Sequence, residues 1–190
     1  MPGISDPQVS IILPAYNEAP RLPHSLRLLG DYLGASTRSF HSFEVLVVVG
    51  HSTDGTLELA REATAEQANF HVIDNRVHRG KGYAVRSGMR QARGALVFHM
   101  DADLSVPLEE IDGFLAHFEA HPGEEVLIGS RQHPGSRIER RPGFFRQTMG
   151  STFNRILFIL SKSCPNRAYA QPNDHRVKAA RNSGCLLGDF

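Results

Sequence analysis

Five short apolar runs, separated by stretches with helical spacing, point to an α/β domain: a mostly parallel sheet with helices on both faces. The first two runs are continuous and β-branched, as strands buried on both faces must be. The polar and charged residues that a core has no use for collect where the runs end. Taken in order, strands are expected at 9–13, 45–49, 70–73, 95–98 and 126–128. Leu22, Leu26, Leu29 and Leu33 recur at three- and four-residue spacing and place a helix after the first strand. Residues 56–68 are rich in Ala, Glu and Leu, which favour helix. Ser52, Thr53 or Asp54 can cap the free N–H groups at its start. Helices at 83–91 and 108–120 complete the series, the last with Pro107 near its first turn. Residues 161–190 show no apolar periodicity before Leu186-Leu187. They are expected to be an irregular tail to a domain formed by residues 1–160.

The chain has 190 residues, 41% of them hydrophobic and 22% charged. That suffices for one domain with a core and excludes wholesale disorder. Lys and Arg number 21 against 20 Asp and Glu. The balance lacks the basic excess of a nucleic-acid binder, so no nucleic-acid partner is expected. Two cysteines, Cys164 and Cys185, make no disulfide framework. No signal-peptide pattern opens the chain, and no run approaches the ~20 apolar residues that cross a bilayer. A cytoplasmic location follows as the expectation.

Ligands of an open α/β sheet bind outside the carboxyl ends of its strands. Those ends carry Pro14-Ala15-Tyr16-Asn17-Glu18, Gly50-His51-Ser52-Thr53-Asp54-Gly55, Asn75 with Gly80-Lys81-Gly82, Asp101-Ala102-Asp103, and Gly129-Ser130-Arg131. A crevice lined this way suits a polyanion together with a cation. Asp101 and Asp103 can both approach one metal ion, and hard oxygen donors suit Mg²⁺ or Mn²⁺. The same residues also make an ordinary solvated turn. Gly80-Lys81-Gly82 opens a helix whose N–H groups can face a phosphate, or forms a tight turn with an exposed lysine. Arg131, His133, Arg137, Arg140, Arg141 and Arg146 fit bidentate phosphate recognition, or a solvated charged loop. The apolar stripe Phe144, Phe145, Met149, Phe153, Ile156, Leu157 and Leu160 is interleaved with Arg146 and Arg155. It can lie on an anionic membrane surface or pack on the domain. The ten histidines have no metal-ligand spacing, and His99 reads as a satisfied core residue.

Read together, these segments resemble a family 2 glycosyltransferase of the GT-A fold. The residues that carry the resemblance are 9–18, Ser52-Thr53-Asp54-Gly55-Thr56, Asn75 with Arg79-Gly80-Lys81-Gly82-Tyr83-Ala84 and Gly88, Asp101-Ala102-Asp103-Leu104-Ser105, and Gly129-Ser130-Arg131. Within the family the chain is most similar to the dolichyl-phosphate β-glucosyltransferase and dolichyl-phosphate mannose synthase branch, over about residues 8–160. The resemblance implies a metal-dependent, inverting transfer of glucose or mannose from a nucleotide sugar to a polyprenyl phosphate at a membrane surface. UDP-glucose ranks ahead of GDP-mannose as donor. Pro14, Tyr16, Glu18, Ser52, Asp54, Lys81 and Asp101 are then donor-binding, and Asp101 and Asp103 hold Mg²⁺ or Mn²⁺. Arg131, Arg137, Arg141 and Arg146 face the acceptor phosphate, with Asp101, Asp103 and Arg131 as the catalytic set. The protein is then peripheral on the cytoplasmic face of a membrane. Two departures accompany the likeness. Val49-Gly50 stands where the family commonly carries an acidic pair, one member of which reads the base. Past Leu160 the branch's usual continuation is replaced by Ser161-Lys162-Ser163-Cys164-Pro165, as in a truncated or frame-shifted product. A transferase acting on a soluble saccharide, or a non-catalytic nucleotide-sugar-binding remnant, are the other readings.

Overall fold

The structure, a computed structural model, describes residues 6–35, 42–76, 80–129 and 178–181. All of these except Gly129 belong to one compact unit. Its elements are β1 (Val9–Ala15), α1 (Leu22–Gly34), β2 (Phe43–Val49), α2 (Thr56–Thr64), β3 (Phe70–Asp74), α3 (Gly80–Met89), β4 (Leu96–His99), α4 (Glu110–Ala120), β5 (Val126–Ile128) and β6 (Lys178–Arg181). The sheet order is β3-β2-β1-β4-β6-β5. The β1–β2, β1–β4 and β2–β3 pairs are parallel, and β6 runs antiparallel to β4 and β5.

Alternation along the central strands divides the core in two. Val9, Ile11, Leu13 and Ala15 of β1 and Val45, Val47 and Val49 of β2 pack with α1, Ala60 of α2, and Ile111, Phe114, Leu115 and Phe118 of α4. Ile12, Leu46, Val48 and Val97 turn to the opposite face and meet Ala84 of α3. Helices therefore cover both faces, which is why the strands read as unbroken apolar runs. The four spaced leucines of α1 are all buried. Each contributes roughly 1.5–3 kcal/mol relative to an exposed position.

Helix ends differ from the spacing-based expectation by a turn where the chain must change direction. Helix α2 stops at Thr64 rather than at residue 68. Thr64 Oγ1 donates back to the Ala60 carbonyl at 2.9 Å. The Gln67 N–H then bonds the Thr64 carbonyl and the Phe70 N–H the Gln67 carbonyl, turning the chain into β3. Helix α4 begins at Glu110 rather than 108, after a tighter turn in which Glu110 and Ile111 donate to the carbonyls of Pro107 and Leu108. Helix α3 runs from Gly80 to Met89 rather than over 83–91.

Lys178–Arg181 lies within the segment expected to be irregular. It forms β6 between β4 and β5, with Leu96↔Arg181 and Val126↔Ala180 in register. A four-residue Lys-Ala-Ala-Arg segment has little strand propensity of its own. The unpaired edge of β4 recruits it, a partner more than seventy residues away that no local pattern reveals. Among the described residues no helix is long and apolar enough to cross a membrane. The basic stretch with its apolar stripe, at 131–160, lies outside the described residues.

Candidate functional site

At the carboxyl ends of β1, β2, β3 and β4 the structure opens a pocket of about 250 Å³. Pro14, Tyr16, Glu18, Gly50, Asn75, Lys81, Asp101 and Asp103 contribute to its lining, with Ala15, Gly80, Ala84 and Ala102 between them. Parallel pairing produces this convergence. Ala15 and Val49 are register partners, as are Val49 and Asp74, so the loops after three strands leave the sheet side by side.

The wall after β1 is clasped to the loop after β2. The backbone N–H groups of Asn17, Glu18 and Ala19 donate to Ser52 Oγ at 3.1 Å, Thr56 Oγ1 at 2.9 Å and Asp54 Oδ2 at 3.1 Å. Thr53 N–H returns the contact to Asn17 Oδ1 at 3.0 Å. Asn17 adopts φ 53°, a left-handed backbone that Asn tolerates better than most residues. Asp54 has a second task, because its Oδ1 accepts from both the N–H and the hydroxyl of Thr56 at the start of α2. The Thr56 hydroxyl, aided by the N–H groups of Ala19 and Thr56, holds the Asp54 carboxyl below the usual range against its desolvation. Of the three candidate caps, Asp54 is the one that bonds the first helical N–H. Ser52 and Asp54 thus shape the pocket from behind and do not line it.

The opposite wall is a tight turn. Leu104 N–H bonds the Asp101 carbonyl at 3.1 Å, and Ser105 N–H donates to Asp103 Oδ1 at 3.1 Å. Leu104 sits at φ 48°, which an L-residue with a bulky side chain rarely adopts. Backbone strain of this kind gathers at ligand-binding sites. The turn puts both aspartates on the pocket. The Asp101 side chain, 19% exposed, forms an ion pair with Lys81 from the first turn of α3. Glu18 pairs with Arg21 at 2.9 Å.

Among the described residues no group of three or more His, Cys, Asp or Glu side chains stands close enough to cage a metal ion. Two carboxylates on one wall nevertheless fit a cation such as Mg²⁺ or Mn²⁺, which keeps waters and takes its remaining oxygens from a bound phosphate. Arg131, Arg137, Arg141 and Arg146 lie outside the described residues. At Val49-Gly50, the departure noted from the resemblance, Val49 is fully buried in β2 and Gly50 offers only backbone to the pocket. Asp74, beside Val49 in the sheet, is engaged by Arg61 and Arg76 at 4.0 and 3.8 Å.

The sequence places Asn75 at a strand end and Thr56 in the segment after the second strand, but assigns neither a binding role. Asn75 lines the pocket, and its Oδ1 accepts from Ser87 Oγ on α3 at 3.3 Å. Thr56 is fully buried beneath the clasp. Their signal was position: one follows a strand immediately, and the other opens a helix behind a Ser-Thr-Asp-Gly turn.

Residues 10–170 match the model of glycosyl transferase family 2. The chain belongs to that family. The match begins one residue into β1, takes in β2 to β5, leaves out β6 and continues past Leu160. The family 2 chain is 29% identical over 158 residues to a dolichyl-phosphate beta-glucosyltransferase of Trichomonas vaginalis, covering 80% of this chain and 48% of that one. It is 32% identical over 152 residues to an undecaprenyl-phosphate 4-deoxy-4-formamido-L-arabinose transferase of Photorhabdus laumondii, covering 79% and 43%. The chain spans about half the length of the curated relatives it matches. Its GT-A fold is shared with a mannosyltransferase of Pyrobaculum calidifontis solved in complex with GDP-Man and Mn²⁺. That structure aligns with TM-score 0.58 at 23% identity, covering 94% of this chain and 45% of the other.

Proposed function

We propose that the pocket binds a nucleoside diphosphate sugar with a divalent cation and that the protein transfers the hexose to a polyprenyl phosphate. One observation carries the reading: Lys81, Asp101 and Asp103 converge at the carboxyl ends of the strands of a family 2 fold. The polyprenyl phosphates for which the relatives are named, dolichyl phosphate and undecaprenyl phosphate, support the acceptor class.

A phosphate monoester is largely ionised near neutral pH, because its second pKa is about 6. Its oxygen is already nucleophilic, so the chain needs no strong general base. Its task is to hold two anions in line. Pro14, Tyr16 and Glu18 form the wall against the nucleotide, and Lys81 supplies positive charge toward the diphosphate. Arg131, Arg137, Arg141 and Arg146 are assigned to the acceptor phosphate. Mg²⁺ or Mn²⁺ on Asp101 and Asp103 supplies charge neutralisation for the departing nucleoside diphosphate. In-line attack at the anomeric carbon inverts it, giving a β-linked product from an α-linked donor.

The test is thermal unfolding with UDP, UDP-glucose, GDP and GDP-mannose, each with and without Mn²⁺. Ligand at a hundred times its dissociation constant adds about 2.7 kcal/mol, or roughly 5–10 °C for a domain of this size. A Mn²⁺-dependent shift with one nucleotide, lost in Asp101→Asn and Asp103→Asn, is expected. No shift with any nucleotide would sink the reading. A second reading, binding without turnover, is favoured by Gly50, which brings no side chain to the pocket, and by Val49 before it, which is buried in the core. Incubation with polyprenyl phosphate separates the two: transfer yields a β-linked lipid phosphosugar, and a remnant yields none.

A further inference from the structure

We propose that Lys81 is a built-in counter-ion for Asp101, and that it makes the divalent cation and the nucleoside diphosphate bind as a pair rather than separately. The inference rests on the reading of the pocket as a donor site. Lys81 and Asp101 come from different elements, α3 and the loop after β4, and meet at the pocket wall. Asp101 is largely shielded from water, with 19% of its side chain exposed. The Lys81 ammonium puts a positive charge beside this shielded carboxylate.

A metal ion arriving alone must displace that ammonium or share the carboxylate with it, against repulsion between like charges at close range. Among the described residues that line the pocket, the other two carboxylates are engaged: Asp103 is the other proposed metal ligand, and Glu18 is paired with Arg21. A diphosphate changes the balance because it brings several negative charges of its own. Lys81, a compact charge on a flexible stem that is half exposed, can swing to a phosphate oxygen and leave Asp101 to the metal. Each ligand then removes the obstacle to the other. Linkage requires the coupling to be the same in both directions.

The experiment measures Mn²⁺ affinity from the free-ion signal in electron paramagnetic resonance, with and without UDP or GDP. In the unsubstituted protein, Mn²⁺ alone is expected to bind weakly, and the nucleotide to tighten it by about tenfold or more. Lys81→Met keeps the stem and removes the charge. It should bind Mn²⁺ alone several-fold more tightly and show a smaller nucleotide effect. Lys81→Arg should behave like the unsubstituted chain, and Lys81→Gln like Lys81→Met. Equal Mn²⁺ affinity in Lys81→Met, Lys81→Gln and the unsubstituted protein, at unchanged unfolding temperature, overturns the proposal. So does absence of measurable Mn²⁺ binding in all three. If no nucleotide binds under any condition, the donor-site reading fails. The comparison in Mn²⁺ alone still decides what Lys81 does to Asp101.

Discussion

At the scale of single residues, the most demanding position lies at the end of the sheet away from the pocket. Glu44 is buried in β2 beside Ser10 of β1. Ser10 Oγ donates to its Oε1 at 2.6 Å, Arg93 N–H to the same oxygen at 2.7 Å, and the Arg93 guanidinium to Oε2 at 2.9 and 3.1 Å. Burial pushes the carboxyl up, but the Ser10 hydroxyl and the N–H and guanidinium of Arg93 outweigh it and hold it below the ordinary glutamate range. A carboxyl with a lowered folded-state pKa stabilises the fold above its ordinary value, and that contribution fades as pH falls through the lowered one. Glu44→Gln should cost about 2 kcal/mol at neutral pH, the scale of hydrogen bonds to a charged group. Urea unfolding at about pH 7 and again near pH 3.5 should show the gap between the two proteins narrowing in acid. A gap independent of pH would assign the cost to packing. The same corner excludes side chains: a Cβ on Gly94 would lie 2.5 Å from the Ser10 nitrogen.

Two elements position the pocket. Helix α3 brings Lys81 and Ala84 to it because Gly88 lets the helix lie close on the sheet. A Cβ there would stand 2.6 Å from Ile12 Cγ2 and 3.1 Å from Val48 Cγ2. Gly88→Ala sets about 1 kcal/mol of helix propensity, reduced so near the helix end, against about 1–3 kcal/mol of overpacking. The clash wins. Denaturant unfolding should show net destabilisation, and nucleotide binding should weaken as Lys81 shifts outward. Unchanged binding would mean that α3 relaxes without moving its first turn. The clasp between the loops after β1 and β2 is the second device. Asp54→Ala removes the acceptor for Ala19 N–H and for Thr56 together. Calorimetric titration should find nucleotide affinity reduced several-fold, with only a modest loss in unfolding temperature. The opposite pattern, lower stability with affinity intact, would show that the loop keeps its shape without the clasp.

At the scale of the molecule, the weakest joint is the β4–β6–β5 edge. β5 is paired through β6, and β6 is separated from β4 by most of the remaining chain. Long-range pairing of this kind is late and slow in folding. Proline at Ala180, opposite Val97 and Val126, removes a ladder donor in an interior strand at a cost of about 3 kcal/mol or more. Ala180→Pro should lower the urea midpoint and speed hydrogen exchange at Val126, Leu127 and Ile128 while leaving β1 and β2 protected. Slow exchange at β5 in that variant would show that the edge holds without β6.

Strands β1, β2 and β4, the α1 leucine stripe and the aspartates on the pocket were legible locally, because burial on two faces forces unbroken apolar runs and strand ends must carry whatever the core rejects. Strands β3 and β5 were legible as short apolar runs, although β5 leaves Val126 and Ile128 exposed. The start of α2 was readable only as a choice among Ser52, Thr53 and Asp54; the N-cap position falls to Gly55, and of the three it is Asp54 that accepts the Thr56 N–H. Strand β6 was not legible: Lys-Ala-Ala-Arg is a strand only because β4 offers an unpaired edge. Nor could spacing show that Ser52 and Asp54 brace the pocket from behind while Asn75 faces it. Those roles depend on which loops the parallel register sets side by side. The pairing of Lys81 with Asp101, twenty residues apart on separate elements, belongs to the same class: charge and residue type are written along the chain, but the partner of a charge is chosen by the packing of α3 on the sheet.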